Sequence, residues 1–480
     1  MHCEIQPVPV NQTMRFLLIN PARKVKRDNI WSVVKSMTPP IGLAVLAAVL
    51  EERGIPTDII DAQALQLTPE EVVARAAING DYDIIGLTAT TPEIASATFT
   101  AQLMRQAFPK ARILFGGVHP TIFHQELVKD GIADFVIRGE GEEPIVSLAI
   151  LEDLNKVPSL TWKSDTGEVI VNPQAEKHVN LDDLPLPAYH KLPMERYRSA
   201  LGAARRSPSL GMITSRGCPG SCTFCYSGMF GKKIRYVSAD LVFDHIIFLQ
   251  KNYAIKEISF YDDTFTSDRE RVVALCTRLI EGHVNISWSC FARVDTVDQE
   301  LLCLMRKAGC HQVMYGFESS DDSVLKTINK RVTTGNYSEI VRMTRSADID
   351  IRGAFMLGSP GETEQSLVDT VRFSTKLNIQ YAIFNITTPY PGTALYTWAN
   401  KQGYLIHRNW ECYDLAHPVM ELPGLSARTL EMHYKRAYRS FYLRPGYVLG
   451  RLVGMWSPAL LKTGWEVFLG IISMLGRKRS

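Results

Sequence analysis

Leu210-Gly-Met-Ile-Thr-Ser215 is a largely apolar run, and Ser215-Arg-Gly-Cys-Pro-Gly-Ser-Cys-Thr-Phe-Cys-Tyr226 leads directly out of it. Cys218, Cys222 and Cys225 therefore sit on one glycine-containing loop at the C-terminal end of a predicted strand. Three thiolates at this spacing can hold three irons of a four-iron, four-sulfur cluster, a cubane that ordinarily takes four. One iron is then left open for a ligand that is not protein. Cys222-Thr-Phe-Cys225 taken alone also reads as a dithiol redox pair or half of a zinc site. A redox pair leaves Cys218 unexplained. A zinc site needs a fourth ligand, and the next candidates, Cys276 and Cys290, fall in segments that read as helix and strand.

Downstream of the loop, strand patterns recur near Ile258–Tyr261, Ile286–Ala292, Gln312–Phe317, Ile351–Leu357 and Ala382–Thr387, each separated by a helical pattern. Six such units predict a partial (β/α)6 barrel over residues 205–424, with its chemistry at the C-terminal strand ends. Those ends carry Tyr261-Asp-Asp-Thr-Phe265, Arg293 with Asp295, Tyr315-Gly-Phe-Glu-Ser-Ser320, the run from Gly353 through Gly358 to Thr363, and Pro389-Tyr-Pro-Gly-Thr393. Asp263 and Thr264 are also helix-capping types. Arg293 and Asp295 also read as a surface ion pair. Glu318 ends a buried strand, where an unpaired carboxylate is costly.

Upstream, from Met14 to about Leu148, apolar runs again alternate with helical patterns. Arg15-Phe-Leu-Leu-Ile-Asn20 is continuous, as a parallel strand buried on both faces requires. Thr57–Asp61, Asp83–Thr88, Arg112–Gly116 and Phe135–Arg138 supply four more strands. The pattern predicts a Rossmann-like or flavodoxin-like domain over residues 14–150. Its ligand edge, beyond the strand C-termini, carries Thr88, Gly116, Gly117, His119 and Gly139. No G-x-G-x-x-G follows the first strand, which argues against a nicotinamide or flavin site. Residues 151–204 read as a linker, with a hairpin signal at Ser159–Val171 and a proline-stiffened connector at Leu181–Ala188.

The cysteine spacing resembles that of the radical S-adenosylmethionine (SAM) superfamily. Pro39-Pro-Ile-Gly42, Gly116-Gly-Val-His-Pro-Thr121 and Arg138-Gly-Glu-Gly-Glu142 resemble the cobalamin-binding domain that precedes many such enzymes, in the same domain order. The resemblance implies that SAM chelates the open iron and is split to methionine and a 5′-deoxyadenosyl radical. It places Asp262 or Asp263 at the SAM amino group and Glu318 at its ribose or amino group. Arg293 falls near the SAM carboxylate or the cobalamin, and Gly353 and Gly358 beside adenine. Phe224 packs over the cluster or, alternatively, in the core. The family's Asp-x-His-x-x-Gly is missing, so His119 reads as a loop histidine and cobalamin is expected without a histidine lower ligand.

The chain has 480 residues, a near-neutral net charge of +3 and nine cysteines in no even framework. Length implies at least two domains, and charge gives no sign of a nucleic-acid partner. Met1–Gln12 lacks the basic start and apolar run of a signal peptide, so a reducing cytoplasm is expected. Residues 425–480 read as helical. Gly446–Gly476 is apolar and basic but interrupted by Pro458, Lys462 and Glu466, and its longest clean stretch, Val467–Gly476, is too short to span a bilayer. It reads either as an interfacial element on an anionic membrane or as packing against the barrel. The family resemblance implies methylation of an unactivated carbon in a hydrophobic substrate (lipid, polyprenoid or tetrapyrrole), with oxidative cyclisation as the alternative. An electron donor such as flavodoxin or ferredoxin is implied. A methylthiotransferase should bring further cluster cysteines, and only Cys3 precedes Cys218. A non-catalytic sensor would leave the SAM-site residues without purpose.

Overall fold

A computed structural model describes residues 14–22, 36–151, 153–175, 178–200 and 202–454. They form two compact units. One gathers Pro39–Tyr197 with the first strand and Gly228–Gly231, and the other runs from Arg198 onward.

In the first unit β1 (Phe16–Asn20), β2 (Thr57–Asp61), β3 (Ile84–Thr88), β4 (Arg112–Gly116) and β5 (Phe135–Ile137) are parallel. β1 is buried along its whole length, which is why it shows no alternation of polar residues. The helix Ile41–Glu51 packs Leu43, Ala47 and Leu50 against Phe16, Leu18 and Leu114. Each fully buried leucine or phenylalanine contributes roughly 1.5–3 kcal/mol. The strand order β2-β1-β3-β4-β5 is the flavodoxin-like one, with its switch point between β1 and β3. The hairpin expected in the linker instead extends this sheet. β6 (Leu160–Lys163) pairs antiparallel with β5, and β7 (Val169–Val171) with β6. Pairing with the free edge of β5 satisfies backbone groups that an isolated two-stranded ribbon would leave to water.

The second unit is a six-stranded, all-parallel partial barrel in the order β15-β14-β13-β12-β11-β8. The strands are β8 (Ser209–Met212), β11 (Glu257–Phe260), β12 (Ser287–Ala292), β13 (Cys310–Glu318), β14 (Asp350–Leu357) and β15 (Tyr381–Ile386). A two-residue ribbon of β9 (Ser215–Arg216) and β10 (Arg235–Tyr236) flanks the cysteine loop. On the helix-facing side Phe317, Phe355 and Phe384 stack in series, 5.7 and 5.5 Å between centroids. The opposite, concave side alternates with it, and there Tyr261, Phe291, Met314, Tyr381, Ile383 and Asn385 stay partly exposed.

A partial barrel leaves two edges open. The helix Ala427–Tyr442 covers one of them. The Tyr438 hydroxyl accepts from Phe384 N–H (3.2 Å) and donates to Phe384 C=O (3.0 Å). One helical turn on, Tyr442 does the same at Ala382 (3.1 and 2.8 Å). Two phenols thus replace a missing seventh strand. Tyr438→Phe strands a buried N–H and C=O together and should cost about 1–3 kcal/mol, read as a lower urea midpoint. Arg444, and Tyr447 from the apolar–basic stretch, also pack here, donating to Thr375 and Gln380 carbonyls. Most of the tail, residues 455–480, lies outside the described residues. Among the described residues no helix is long and apolar enough to cross a membrane.

Candidate functional site

The cysteine loop leaves the barrel because its backbone bonds elsewhere. Beyond Met212 the Thr214 N–H and hydroxyl and the Ser215 N–H all donate to the Asp262 carboxylate, the last at 2.9 Å. The Arg271 guanidinium donates to the Thr214 carbonyl at 3.3 Å and to its hydroxyl, and lies 5.3 Å from the Tyr236 ring. Asp262 is completely buried, and burial pushes its carboxyl up against the opposing pull of Thr214 and Arg271. Its lone pairs serve the strand-to-loop turn, so of the two aspartates Asp263 is the one available to a ligand. Asp263 is exposed, and its carboxyl is raised by burial of its surroundings and by the adjoining Asp262. It caps no helix. Asp268 caps the helix Arg269–Glu281, accepting from Arg271 N at 3.0 Å.

Three long-range bonds then pin the loop. Thr223 N–H donates to Ile328 C=O (3.0 Å), Leu395 N–H to Thr223 C=O (2.8 Å), and Asn329 Nδ2 to Ser221 C=O (2.9 Å). A Cβ on Gly220 would lie 3.3 Å from Cys218 Sγ and 4.0 Å from Cys222 Sγ. Both sulfurs therefore crowd the space a side chain there would fill. A turn from Cys225 N–H to Cys222 C=O (3.1 Å) brings the third cysteine round. Cys225 reaches solvent, yet the surrounding protein pushes its thiol up to about 12, with Cys222 adding to the rise. Lys330 and Arg293 act on Cys222 in the opposite sense. Cys218 and Cys222 meet beside Gly220, Cys225 follows at the turn, and two cations act on Cys222, a setting that suits an anionic iron–sulfur cluster, although among the described residues no three such side chains are grouped closely enough to hold one metal ion. Cys276 and Cys290, the other thiols considered for a zinc site, are buried beside Cys310 on the far side of the sheet.

Phe224 packs with Leu395, Ala399 and Met420 and so anchors the loop to the helix Ala394–Gln402, the contact that the core alternative expects.

Glu318 ends β13 at φ +61, a left-handed backbone that costs a non-glycine residue roughly 1–2 kcal/mol. The register against β14 shifts at the same point. Its Oε1 meets Lys330 Nζ at 2.7 Å, both groups nearly buried. A Cβ at Gly316 would lie 2.4 Å from that oxygen and 2.8 Å from Nζ, so the glycine makes room for the pair. Lys330 was missed in the sequence reading. The one signal for it was that a buried carboxylate demands a cation. Burial lowers the Lys330 pKa, but Glu318 more than reverses this. Arg293 joins the same group. It holds Asp295 in a two-pronged pair (2.9 and 2.8 Å) and also reaches the Lys330 carbonyl at 3.4 Å. The ion pair read from the sequence is therefore present, and it stands beside the Glu318–Lys330 pair.

Gly353 and Gly358 do not offer open backbone to a flat ring. A Cβ at Gly353 would meet Ile379 at 2.7 Å and Phe317 at 3.0 Å, and one at Gly358 would meet Leu430 at 2.6 Å. Their missing side chains are filled by the core. Gly358 also turns at φ +89, its N–H held by the buried Glu362, whose carboxyl burial raises to about 7.

In the first unit the expected ligand edge has the required shape. Gly117, at φ +95, lies so close to β3 that a Cβ would be 2.8 Å from Thr88 Oγ1. At Gly116 the nearest atom to such a Cβ is 4.0 Å away, so the strand end is open. Gly139, at φ +72, donates its N–H to Thr121 Oγ1 at 3.0 Å. His119 is buried, with Nδ1 3.2 Å from Thr91 Oγ1 and its ring 4.6 Å from Phe123. Burial lowers its pKa to about 4. It belongs to the wall of the edge, with its Nδ1 bonded to the Thr91 side chain.

A flavodoxin-like sheet with an open glycine edge, and a partial barrel with a three-cysteine loop, together define a two-cofactor radical enzyme. Residues 212–374 match the radical SAM superfamily, and residues 30–149 match the B12 binding domain. An uncharacterized methyltransferase of Pyrococcus horikoshii is 34% identical over 90% of this chain and 94% of its own length. The anaerobic magnesium-protoporphyrin IX monomethyl ester cyclase of Rubrivivax gelatinosus is 26% identical over 91% of this chain and 78% of its own. Among solved structures, the cobalamin-dependent SAM radical enzyme OxsB superposes with a TM-score of 0.72 at 16% identity, covering 96% of this chain and 72% of that one. The chain belongs to the cobalamin-dependent radical SAM enzymes. Its cofactors are a [4Fe–4S] cluster, SAM and cobalamin.

Proposed function

We propose that this enzyme methylates an unactivated carbon of a hydrophobic substrate. One-electron cleavage of SAM and carriage of a methyl group are the chemistry that the cluster and cobalamin supply when bound. The chain's own residues hold and shield them. Cys218, Cys222 and Cys225 take three irons, and the short Gly220 leaves space for the cluster beside the sulfurs. Asp263 accepts from the SAM amino group, since its neighbour Asp262 is committed to Thr214 and Ser215. Glu318, held by Lys330, presents its carboxylate at the same strand ends. Thr88, Gly116, Gly117 and Gly139 line the cobalamin edge, and His119 stays in its wall. The observation that carries the reading is the three-cysteine loop at the mouth of a parallel partial barrel, in a chain that also holds a B12 binding domain.

Methylation is preferred over ring closure because the relative of highest identity above carries a methyltransferase name. The cyclase relative supports the second reading and a tetrapyrrole-sized substrate. Anaerobic reconstitution with iron, sulfide and hydroxocobalamin tests the proposal. Retention of both iron and cobalt, with SAM-dependent 5′-deoxyadenosine, supports it. Protein that keeps iron but never cobalt removes the methyl-transfer reading. A separate expectation concerns the cobalt's lower face. Reduced cobalamin bound to wild type and to His119→Ala should give the same cobalt electron paramagnetic resonance spectrum, without nitrogen splitting. Nitrogen splitting in wild type that is lost in the variant would show that His119 ligates after all.

A further inference from the structure

Among the described residues no carboxylate is paired with Arg352. It lies on β14 opposite Met314 of β13 and Tyr381 of β15. Its neighbours Gly353 and Phe355 face the helices, against Phe317 and Phe384, so alternation puts Arg352 on the concave side. The side chain is 9% exposed, and its Nε has neither solvent nor a hydrogen-bond partner. Among the described residues the titratable groups acting on it are phenols rather than carboxylates, those of Tyr442, Tyr381 and Tyr261. Its guanidinium carbon stands 5.4 Å from the Tyr381 ring centroid. Asp350, two residues back on the same face, is taken by Arg205 at 2.7 Å. Burial lowers the arginine's affinity for its proton, the mark of a cation short of partners.

The place is a floor. Gln312 Nε2 donates to Gly202 C=O at 3.0 Å, and a Cβ at Gly202 would lie 2.7 Å from the Tyr381 ring. Ser199 Oγ meets Ser259 Oγ at 3.2 Å. The segment leading into β8 therefore crosses beneath the N-terminal half of the strands. Met314, Phe291 and Tyr261 flank the arginine in its own register layer, Ile383 lies two residues nearer the C-terminal strand ends, and two further on Asn385 Oδ1 is a second buried, unpartnered polar atom on the concave wall. From Arg352 to the end of β14 at Leu357 is five residues, about 16 Å of strand.

A guanidinium in such surroundings carries an uncompensated desolvation cost. Stacking on one tyrosine returns only a small part of it. An anionic ligand group would meet the remainder, and a guanidinium's planar fork matches carboxylate or phosphate oxygens. We propose that Arg352 is the anchor for an anionic group, a carboxylate or phosphate, at the far end of an elongated apolar substrate. The reacting carbon of that substrate then lies toward the C-terminal strand ends, with Asn385 accepting a donor on its body. This rests on the substrate-binding reading of the partial barrel above and narrows hydrophobic substrates to amphiphilic anions.

The test measures binding by calorimetry to the full-length reconstituted protein, without SAM or turnover, using octanoate, octyl phosphate and octan-1-ol. One of the anions should bind about tenfold to a hundredfold tighter than the alcohol, the range of a charged hydrogen bond. Which one does so separates carboxylate from phosphate. Arg352→Met should abolish the preference, and Arg352→Lys should retain part of it. Equal binding of anion and alcohol, no binding of either anion, or a preference surviving in Arg352→Met overturns the proposal. So does Arg352→Met that is more stable than wild type with ligand selection intact, the behaviour of a purely structural stack. If Arg352→Met does not fold, Arg352→Lys decides, since it keeps the charge without the fork and an unchanged anion preference would exclude the assigned role. Formation of 5′-deoxyadenosine is read separately. Its loss bears on the radical reading, and a failure of anion selection alone bears on Arg352.

Discussion

Cys222→Ala protein, reconstituted anaerobically, forms no 5′-deoxyadenosine from SAM while still retaining cobalamin. Cys222 is the middle ligand of the three. Its sulfur shares the space beside Gly220 with Cys218, and its carbonyl accepts the turn that brings Cys225 round. Removing the side chain takes away one of only three protein thiolates, and none of the other cysteines described can replace it. Cys276, Cys290 and Cys310 are buried together within the body of the second unit. Changes to residues that merely support a metal ligand cost about 10–100-fold. Loss of a ligand itself should exceed that range and bring product to background. Cobalt retention is the internal control, because the cobalamin edge belongs to the first unit. Iron content, the visible spectrum and product chromatography check the outcome. Wild-type-like product from Cys222→Ala would show that the loop is not the cluster site.

Lys330→Met should destabilise the second unit by about 3–5 kcal/mol, the cost of leaving one member of a buried ion pair alone. Glu318 would then keep its strained backbone and its burial without the cation it is bonded to, while the neighbouring Arg293 is held by Asp295. Adding Glu318→Gln should restore much of the loss, since two neutral groups of similar size need no counter-charge. Urea midpoints of the single and double variants measure this. The two readouts are separable, because the double variant is expected to fold yet bind SAM weakly if the Glu318 carboxylate is a SAM contact. A double variant as unstable as Lys330→Met would mean that the pair is not what holds the end of β13.

Much of this architecture was legible from local pattern. The fully buried β1 shows itself as an uninterrupted apolar run, because a parallel strand covered on both faces has no solvent side to mark. The six strands of the barrel were legible for the same reason, and so was the cysteine loop, whose ligands lie within eight residues of one another. The strand Leu210–Ser215 was read too long. Its last residues are drawn to Asp262, and a bond to a carboxylate 47 residues away leaves no local trace. The hairpin at residues 159–171 was recognised as a hairpin, but its seat on β5 depends on which edge is free.

The candidate site divides in the same way. The three cysteines, Asp263, Arg293 and Glu318 were singled out as candidates because motif and strand end coincide. Phe224, Asp262, Gly353 and Gly358 have structural duties that only their neighbours reveal: Leu395, Thr214, Ile379 and Leu430. Lys330 has no motif, and it matters because folding sets its ammonium against Glu318. Tyr438 and Tyr442 likewise read as ordinary helical aromatics until the edge they close is known.

Element type, the order of the two α/β units and the identity of the iron ligands follow from residues close together along the chain, where steric preference and periodicity act directly. Strand order, the closing of the β15 edge, the pairing of Glu318 with Lys330 and the isolation of Arg352 arise between residues far apart in the chain. For those, the free energy is set by who becomes a neighbour in the folded state, and no local pattern encodes that.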